Sequence, residues 1–205
     1  APSAPDFETS LKTLAQGQNL TLAVDEAEFV SKSLQWFSSE QSVALWEAGA
    51  YLLRHEGSPE ARRAGSQLLE AVAARQDLSP AARLSIFESI SNPSDPDVIP
   101  ARVQSLISLS DHGRKLEFTS SSIMPIVSSC IVPLYELISL ARSKARKAKV
   151  TKPAELSHDE ASLADLLQFA VDLMTLQRRQ PTPEEIESLL CQVIAICKKT
   201  SVAAD

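Results

Sequence analysis

Apolar residues recur along this chain at helical intervals. Ala61, Ala64, Gly65, Leu68, Leu69 and Val72 fall on one helical face. Ile99, Val103, Leu106 and Ile107 form a second stripe, and Leu163, Leu166, Leu167, Ala170 and Met174 a third. A fourth runs through Ile186, Leu189, Leu190, Val193, Ile194 and Cys197. The stretch before Leu53 differs, because it is apolar on two sides. Val43, Trp46, Ala50 and Leu53 line one, and Leu45, Gly49 and Leu52 the other. A helix with two apolar sides is one packed between neighbours. No segment sustains an alternation of apolar and polar residues, so no sheet is expected.

The polar residues between the stripes mark helix starts. Proline suits the first helical position, where its missing N–H would have no partner in any case. A Ser, Thr or Asp just before it caps free N–H groups. Ser58-Pro59, Ser79-Pro80, Asp95-Pro96 and Thr182-Pro183 carry that signature. Thr182 with Glu185, Ser157 with Glu160 and Ser38 with Gln41 have capping-box spacing, and Asp25 with Glu28 imitates it. These marks predict helix starts near 26, 39, 59, 80, 96, 158 and 183. Pro100 pulls the start after Asp95 toward a later residue. Gly57-Ser58-Pro59 is a tight break between two helices.

Helices joined by short loops fit antiparallel hairpins stacked on one another. The expected fold is all-α: a HEAT/armadillo-like α-solenoid of antiparallel helix hairpins, with about seven to nine helices. The organisation expected is a single α-solenoid fragment over residues 1–205. Within it, 1–24 is a poorly defined N-terminal segment, and 142–160 a charged insertion or linker between helices.

Composition narrows the function. Apolar content is 44% and charged content 22%, both ordinary for a folded domain. Only 5 glycines stand against 12 prolines, which argues against phosphate-cradling loops. The net charge of −6 argues against nucleic-acid binding. Three scattered cysteines suggest a reducing compartment, in which the Asn19-Leu20-Thr21 glycosylation sequon would be idle. No signal peptide is read at the start, and Ala in place of Met is the mark expected of an excised fragment. Ser122–Ala141 is apolar enough to imitate a membrane span, but Glu136 and two prolines make it a buried helix with a proline kink. No transmembrane segment is expected.

No residue set announces catalysis. His55, His112 and His158 are isolated from one another and read as exposed bystanders. Cys130 and Cys197 lie on apolar stripes and read as small core residues, and Cys191 faces elsewhere. Their spacing does not suit zinc. Acidic pairs such as Glu184-Glu185 complement helix N-termini. Trp36 and Trp46 read as core anchors rather than a ligand cage. The basic run Arg142–Lys149 reads as the solvated C-terminal end of a long helix, with Glu155, Asp159 and Glu160 as local compensation. Its sharper alternative is contact with an acidic partner or anionic lipid. Catalytic, cofactor-binding and metal-binding residues are therefore none, cofactors none, and the partner-binding residues are unknown.

One stretch has a specific likeness. Ala44-Leu45-Trp46 is followed by Leu52-Leu53, then Glu60-Ala61-Arg62 and Ala64. Leu68-Leu69, Ala71, Arg83, Phe87 and Ile90 come next, then Arg102, Leu106, Leu109, Asp111, Gly113 and Arg114. In order and spacing these resemble the N-terminal α-solenoid of the tuberin family. "DLLQFAVDLM" and "CQVIAICKKT", between Leu166 and Thr200, are similar to the following repeat. Residues 1–38 match poorly, and Arg142–Ser162 departs from the family's pattern.

The resemblance implies a non-catalytic N-terminal scaffold that binds the coiled coil of hamartin. The complex of the two restrains TOR growth signalling by activating the GTPase of Rheb. The GTPase-activating domain would lie outside this fragment, so Rheb would be reached only through that absent C-terminal domain. The place implied is cytoplasmic, peripheral at a lysosomal or vacuolar membrane in the full complex. Within the solenoid Trp46 would fill space between hairpins, Gly113 supply a turn, and Asp111 with Arg114 tie a loop. The alternative is a generic HEAT-repeat interaction module of another assembly, such as transport.

Overall fold

The structure is a computed structural model that describes residues 6–15, 17, 19–91, 98–111, 114, 120–148, 154–175 and 182–202. Among these residues there are nine α-helices and no strand. They are α1 (Phe7–Ala15), α2 (Leu20–Ser33), α3 (Ser39–Gly49), α4 (Pro59–Ala73), α5 (Pro80–Ile90), α6 (Ile99–Leu109), α7 (Ser120–Ala148), α8 (Ala154–Thr175) and α9 (Pro183–Val202). Single 3₁₀ turns follow α2 (Leu34–Trp36) and α3 (Ala50–Arg54). The chain divides into two compact units, Ala1–Ser105 and Leu106–Asp205.

Four of the expected starts are real, and their caps explain them. Ser58 accepts from the Ala61 N–H at 3.2 Å, and Ser79 from the Ala82 N–H at 3.2 Å. Ser38 and Gln41 close a reciprocal box, with bonds of 3.2 and 3.0 Å. Thr182 and Glu185 do the same, at 3.3 and 2.8 Å. Each satisfies N–H groups that the first turn leaves unpaired.

Two starts are displaced. The helix expected near 26 begins at Leu20, because Asn19 is the cap and accepts from the Leu22 N–H at 3.3 Å. Asp25 and Glu28 lie inside it, where their backbone N–H groups already have helical partners. The helix expected near 158 begins at Ala154, so Ser157 and Glu160 are interior to α8. The residues Asp95 and Pro96 lie outside the described set, and α6 begins at Ile99. Segment 1–24 holds α1 and the start of α2. Much of 142–160 is helical, as the end of α7 and the start of α8.

In the first unit α2 packs on α4 and α1, and α1 also touches α3. The α4 stripe is buried throughout, from Ala61 to Val72. Gly65 is the point of closest approach. A Cβ there would stand 2.6 Å from the Leu53 backbone nitrogen, so the two backbones meet where only glycine fits. Gly57 has φ +83°, a left-handed conformation that ends the preceding turn before Ser58 caps α4. Trp46 is only 2% exposed, as a core anchor should be.

In the second unit α7 packs on α8 and on α9. Ile123, Met124, Val127, Cys130, Ile131, Leu134 and Ile138 of α7 are all buried. By length and composition α7 could cross a membrane, and it is the one such helix among the described residues. Its buried row instead forms the core of this unit. Two apolar stripes are not placed as expected. Ser162, Leu166, Phe169, Ala170 and Leu173 of α8 are buried, whereas Leu167 is exposed. On α9 only Leu189 of the stripe is buried, and Cys197 is exposed rather than a core residue. A stripe defines a side of the helix, but neighbours decide whether that side is covered.

Candidate protein interface

Trp36 is 64% exposed, so it is not the core anchor its type suggests. Its neighbours explain how a large aromatic ring is held in solvent. Leu34 and Phe37, on either side of it, are buried, and Phe37 meets Phe7 edge-on with ring centroids 6.4 Å apart. The main chain of the turn is clamped from just past the end of α4. Arg75 Nη1 donates to the carbonyl oxygens of Leu34 and Phe37, at 2.8 and 3.1 Å, and to Ser42 Oγ at 3.1 Å. Its other face donates to Asp77, from Nε at 2.8 Å and from Nη2 at 2.6 Å. The guanidinium reaches both sets of acceptors at once, with the two Nη1 hydrogens shared among three of them, as an ammonium could not. The Arg75 hydrogen bonds hold the Asp77 carboxyl below its ordinary value, against an opposing effect of burial.

Trp36 ends a row. Leu22 and Phe29 are 54% and 48% exposed, and the three stand seven residues apart. Seven residues are two helical turns, so the row runs along one side of α2 and its 3₁₀ extension for about 20 Å. Ala23, Ala27 and Val30, on a neighbouring side of the helix, are buried, and so is Ser33 between Phe29 and Trp36. Exposed Asp25 and Lys32 fall between the apolar residues, so from Leu22 to Trp36 apolar and charged residues alternate at three-four spacing. Isolated exposed apolar residues are ordinary, but an aligned row is not.

Other residues singled out by pattern are not gathered here. His55 is half-buried rather than exposed, with its Nδ1 enclosed and without a partner. His158 lies in α8, and His112 and Gly113 lie outside the described residues. Asp111 takes φ +49°, and the Arg114 N–H donates to its carbonyl at 3.1 Å, so main-chain atoms tie that turn. Arg142 pairs with Glu160 at 2.8 Å, the local compensation expected for the basic run. A recess of about 460 Å³ is lined by Trp46, Ala50, Tyr51, Leu53, Arg54 and Ser89. Among the described residues no group of three His, Cys, Asp or Glu could hold a metal ion. Pattern reading passes over Leu22, Phe29, Arg75 and Asp77. The seven-residue spacing was the available signal for the first two, and nothing local distinguishes Arg75 from other surface arginines.

Residues 20–205 match the family described as a domain of unknown function, DUF3384. The chain belongs to this family. No curated protein matches it by sequence. Among solved structures, one described as the structure of the TSC2 N-terminus is similar, with a TM-score of 0.74 and 19% identity. The likeness covers 94% of this chain and 46% of that one. The DUF3384 chain therefore has a tuberin-like N-terminal fold, the all-α solenoid class expected from its stripes and caps.

Proposed function

We propose that this chain is a non-catalytic N-terminal scaffold of a tuberin-like protein, and that it docks the coiled coil of hamartin along the outer side of α2. In that role it serves the complex that restrains TOR signalling through Rheb GTPase activation. Its place is the cytoplasm, peripheral at a lysosomal or vacuolar membrane. The observation that carries the docking site is the Leu22–Phe29–Trp36 row, with its heptad interval and its rigid aromatic end. The fold likeness to the TSC2 N-terminus and the resemblance of the Ala44–Arg114 motifs support the family role.

A coiled coil offers apolar residues at the same interval, so knobs from one helix meet gaps on the other. Asp25 and Lys32 set the polarity, because an opposed basic and acidic residue fit only one direction. Trp36 is the anchor, since a preorganised tryptophan loses little entropy on binding. The test is calorimetric titration of the hamartin coiled coil into the chain and into a Trp36→Ala variant. The substitution is expected to cost about 2 kcal/mol or more of binding energy. Equal binding by both would move the site off α2. No binding by this chain or by a longer tuberin N-terminal region would end the reading. The same preparation is expected to leave Rheb GTP hydrolysis unchanged when added alone.

A further inference from the structure

The end of α7 carries charge that the rest of its unit does not answer. Arg142, Lys144, Arg146 and Lys147 follow one another with no acidic residue between them, in a chain whose net charge is −6. All four are exposed. Glu160 meets Arg142 at 2.8 Å. Among the described residues Lys144, Arg146 and Lys147 have no acidic partner. The run is internal to the sequence, since α8 and α9 follow it, and it is exposed with both of them in place.

A helix terminus does not need so many cations. Its dipole presents about half a charge, and the effect fades within the last turn. Arg142 and Arg146 are four residues apart and Lys144 and Lys147 three, so like charges stand over one another on the helix and weaken it. The run opposes the helix that carries it unless anions reach it from outside. Leu140 tells which anions fit. It is 55% exposed, and Lys144 and Lys147 follow it at four and seven residues, on the same side of the helix. Arg142 and Arg146 lie on another side, where Arg142 reaches α8. An exposed leucine with lysines beyond it on one side matches a layer of phosphates over hydrocarbon. The leucine enters the apolar margin, and the lysine stems lie along it while their ammonium groups reach the phosphates. A protein partner would hold its carboxylates at set positions, which the planar arginine fork reads better than lysine does. A lysine is a point charge on a flexible stem, and it suits phosphates that keep no register.

We propose that the Leu140–Lys144–Lys147 side of α7 is a contact for an anionic phospholipid surface. It is separate from the α2 row and does not rest on the docking proposed there. The contact is electrostatic and reversible, and salt weakens it by screening.

The test is cosedimentation of the chain with phosphatidylcholine vesicles, with and without phosphatidylserine. Binding is expected only where phosphatidylserine is present, and it should fall as salt is raised. Lys144→Gln combined with Lys147→Gln should lower the vesicle partition coefficient at least about tenfold, since each cation beside an anionic surface contributes about fivefold. Leu140→Ser should lower it about threefold or more and keep the salt dependence. Because all three residues are exposed, these variants keep their helical circular dichroism. Removing the same charge at Lys12 and Lys198 should change the partition less than about twofold, because those sites lie outside the contact. A chain that ignores phosphatidylserine vesicles overturns the proposal. So does binding indifferent to the Lys144 and Lys147 substitutions, or lowered equally by those at Lys12 and Lys198, which is the effect of net charge alone. Polyglutamate that binds through the same two lysines as tightly as the vesicles do would give the surface to an acidic protein and overturn it as well.

Discussion

Helices α4 and α9 look alike in sequence and end in opposite situations. Both begin with a capped proline, after Ser58 and Thr182, and both carry an unbroken apolar stripe. On α4 every member of the stripe is buried, and Gly65 lets the backbone of the preceding 3₁₀ turn close to contact distance. On α9 the stripe faces outward except at Leu189. The stripes have the same local cause, since helical spacing gathers apolar side chains on one side. What differs is the supply of partners. The side of α4 is met by α2, α3 and the turn before it, while α9 rests on α7 alone among the pairings of any extent. An apolar stripe therefore predicts a helix and its sticky side, and leaves open whether the chain itself or another molecule covers it.

The contrast can be broken at the first unit's core. Trp46→Ala is expected to lower stability by about 3–5 kcal/mol, the range for a fully buried aromatic truncated to a methyl. Thermal and urea melts would read it, and an unchanged midpoint would mean that the first unit is no better packed around Trp46 than α9 is around its stripe. Gly65→Ala tests the close approach. Its Cβ would fall 2.6 Å from a backbone nitrogen, which cannot rotate away, so a loss of about 1–3 kcal/mol is expected from overpacking. A stabilised variant, as helix propensity alone would give, would show that the two backbones can separate.

A smaller effect is expected at Asp77. Its carboxyl titrates below the ordinary value because Arg75 donates to the ionised form. A depressed folded value means stability that is present above the unfolded value and lost as pH falls through the folded one. Asp77 is largely exposed, so the loss is modest. Asp77→Asn should remove that part of the acid sensitivity, as measured by melts across the acidic range. The tryptophan fluorescence of Trp36 should report the same transition if Arg75 releases its turn. The smallest effect belongs to α9. Ile194→Ser in dilute solution should change stability by less than about 0.5 kcal/mol, because an exposed side chain loses little. A loss as large as that at Trp46 would mean that the isolated chain buries this surface in some other way.

The chain's own sequence determined most of the local architecture. Ser38, Ser58, Ser79 and Thr182 place four helix starts, because a cap needs only residues within one turn of it. It was also enough for the all-α class, since periodicity is a property of neighbouring positions. At α2 sequence reading took Asp25 as the cap where Asn19 is the actual one, and where the start lay before Ser157 it came late. Only the tertiary structure decided which stripes were covered, that Trp46 is core and Trp36 is surface, and that Cys197 faces outward. It alone revealed Arg75, whose partners at Leu34 and Phe37 are some forty residues distant in the chain. The reason is physical. Helix formation is satisfied by hydrogen bonds four residues apart, whereas burial depends on which distant segments arrive to exclude water.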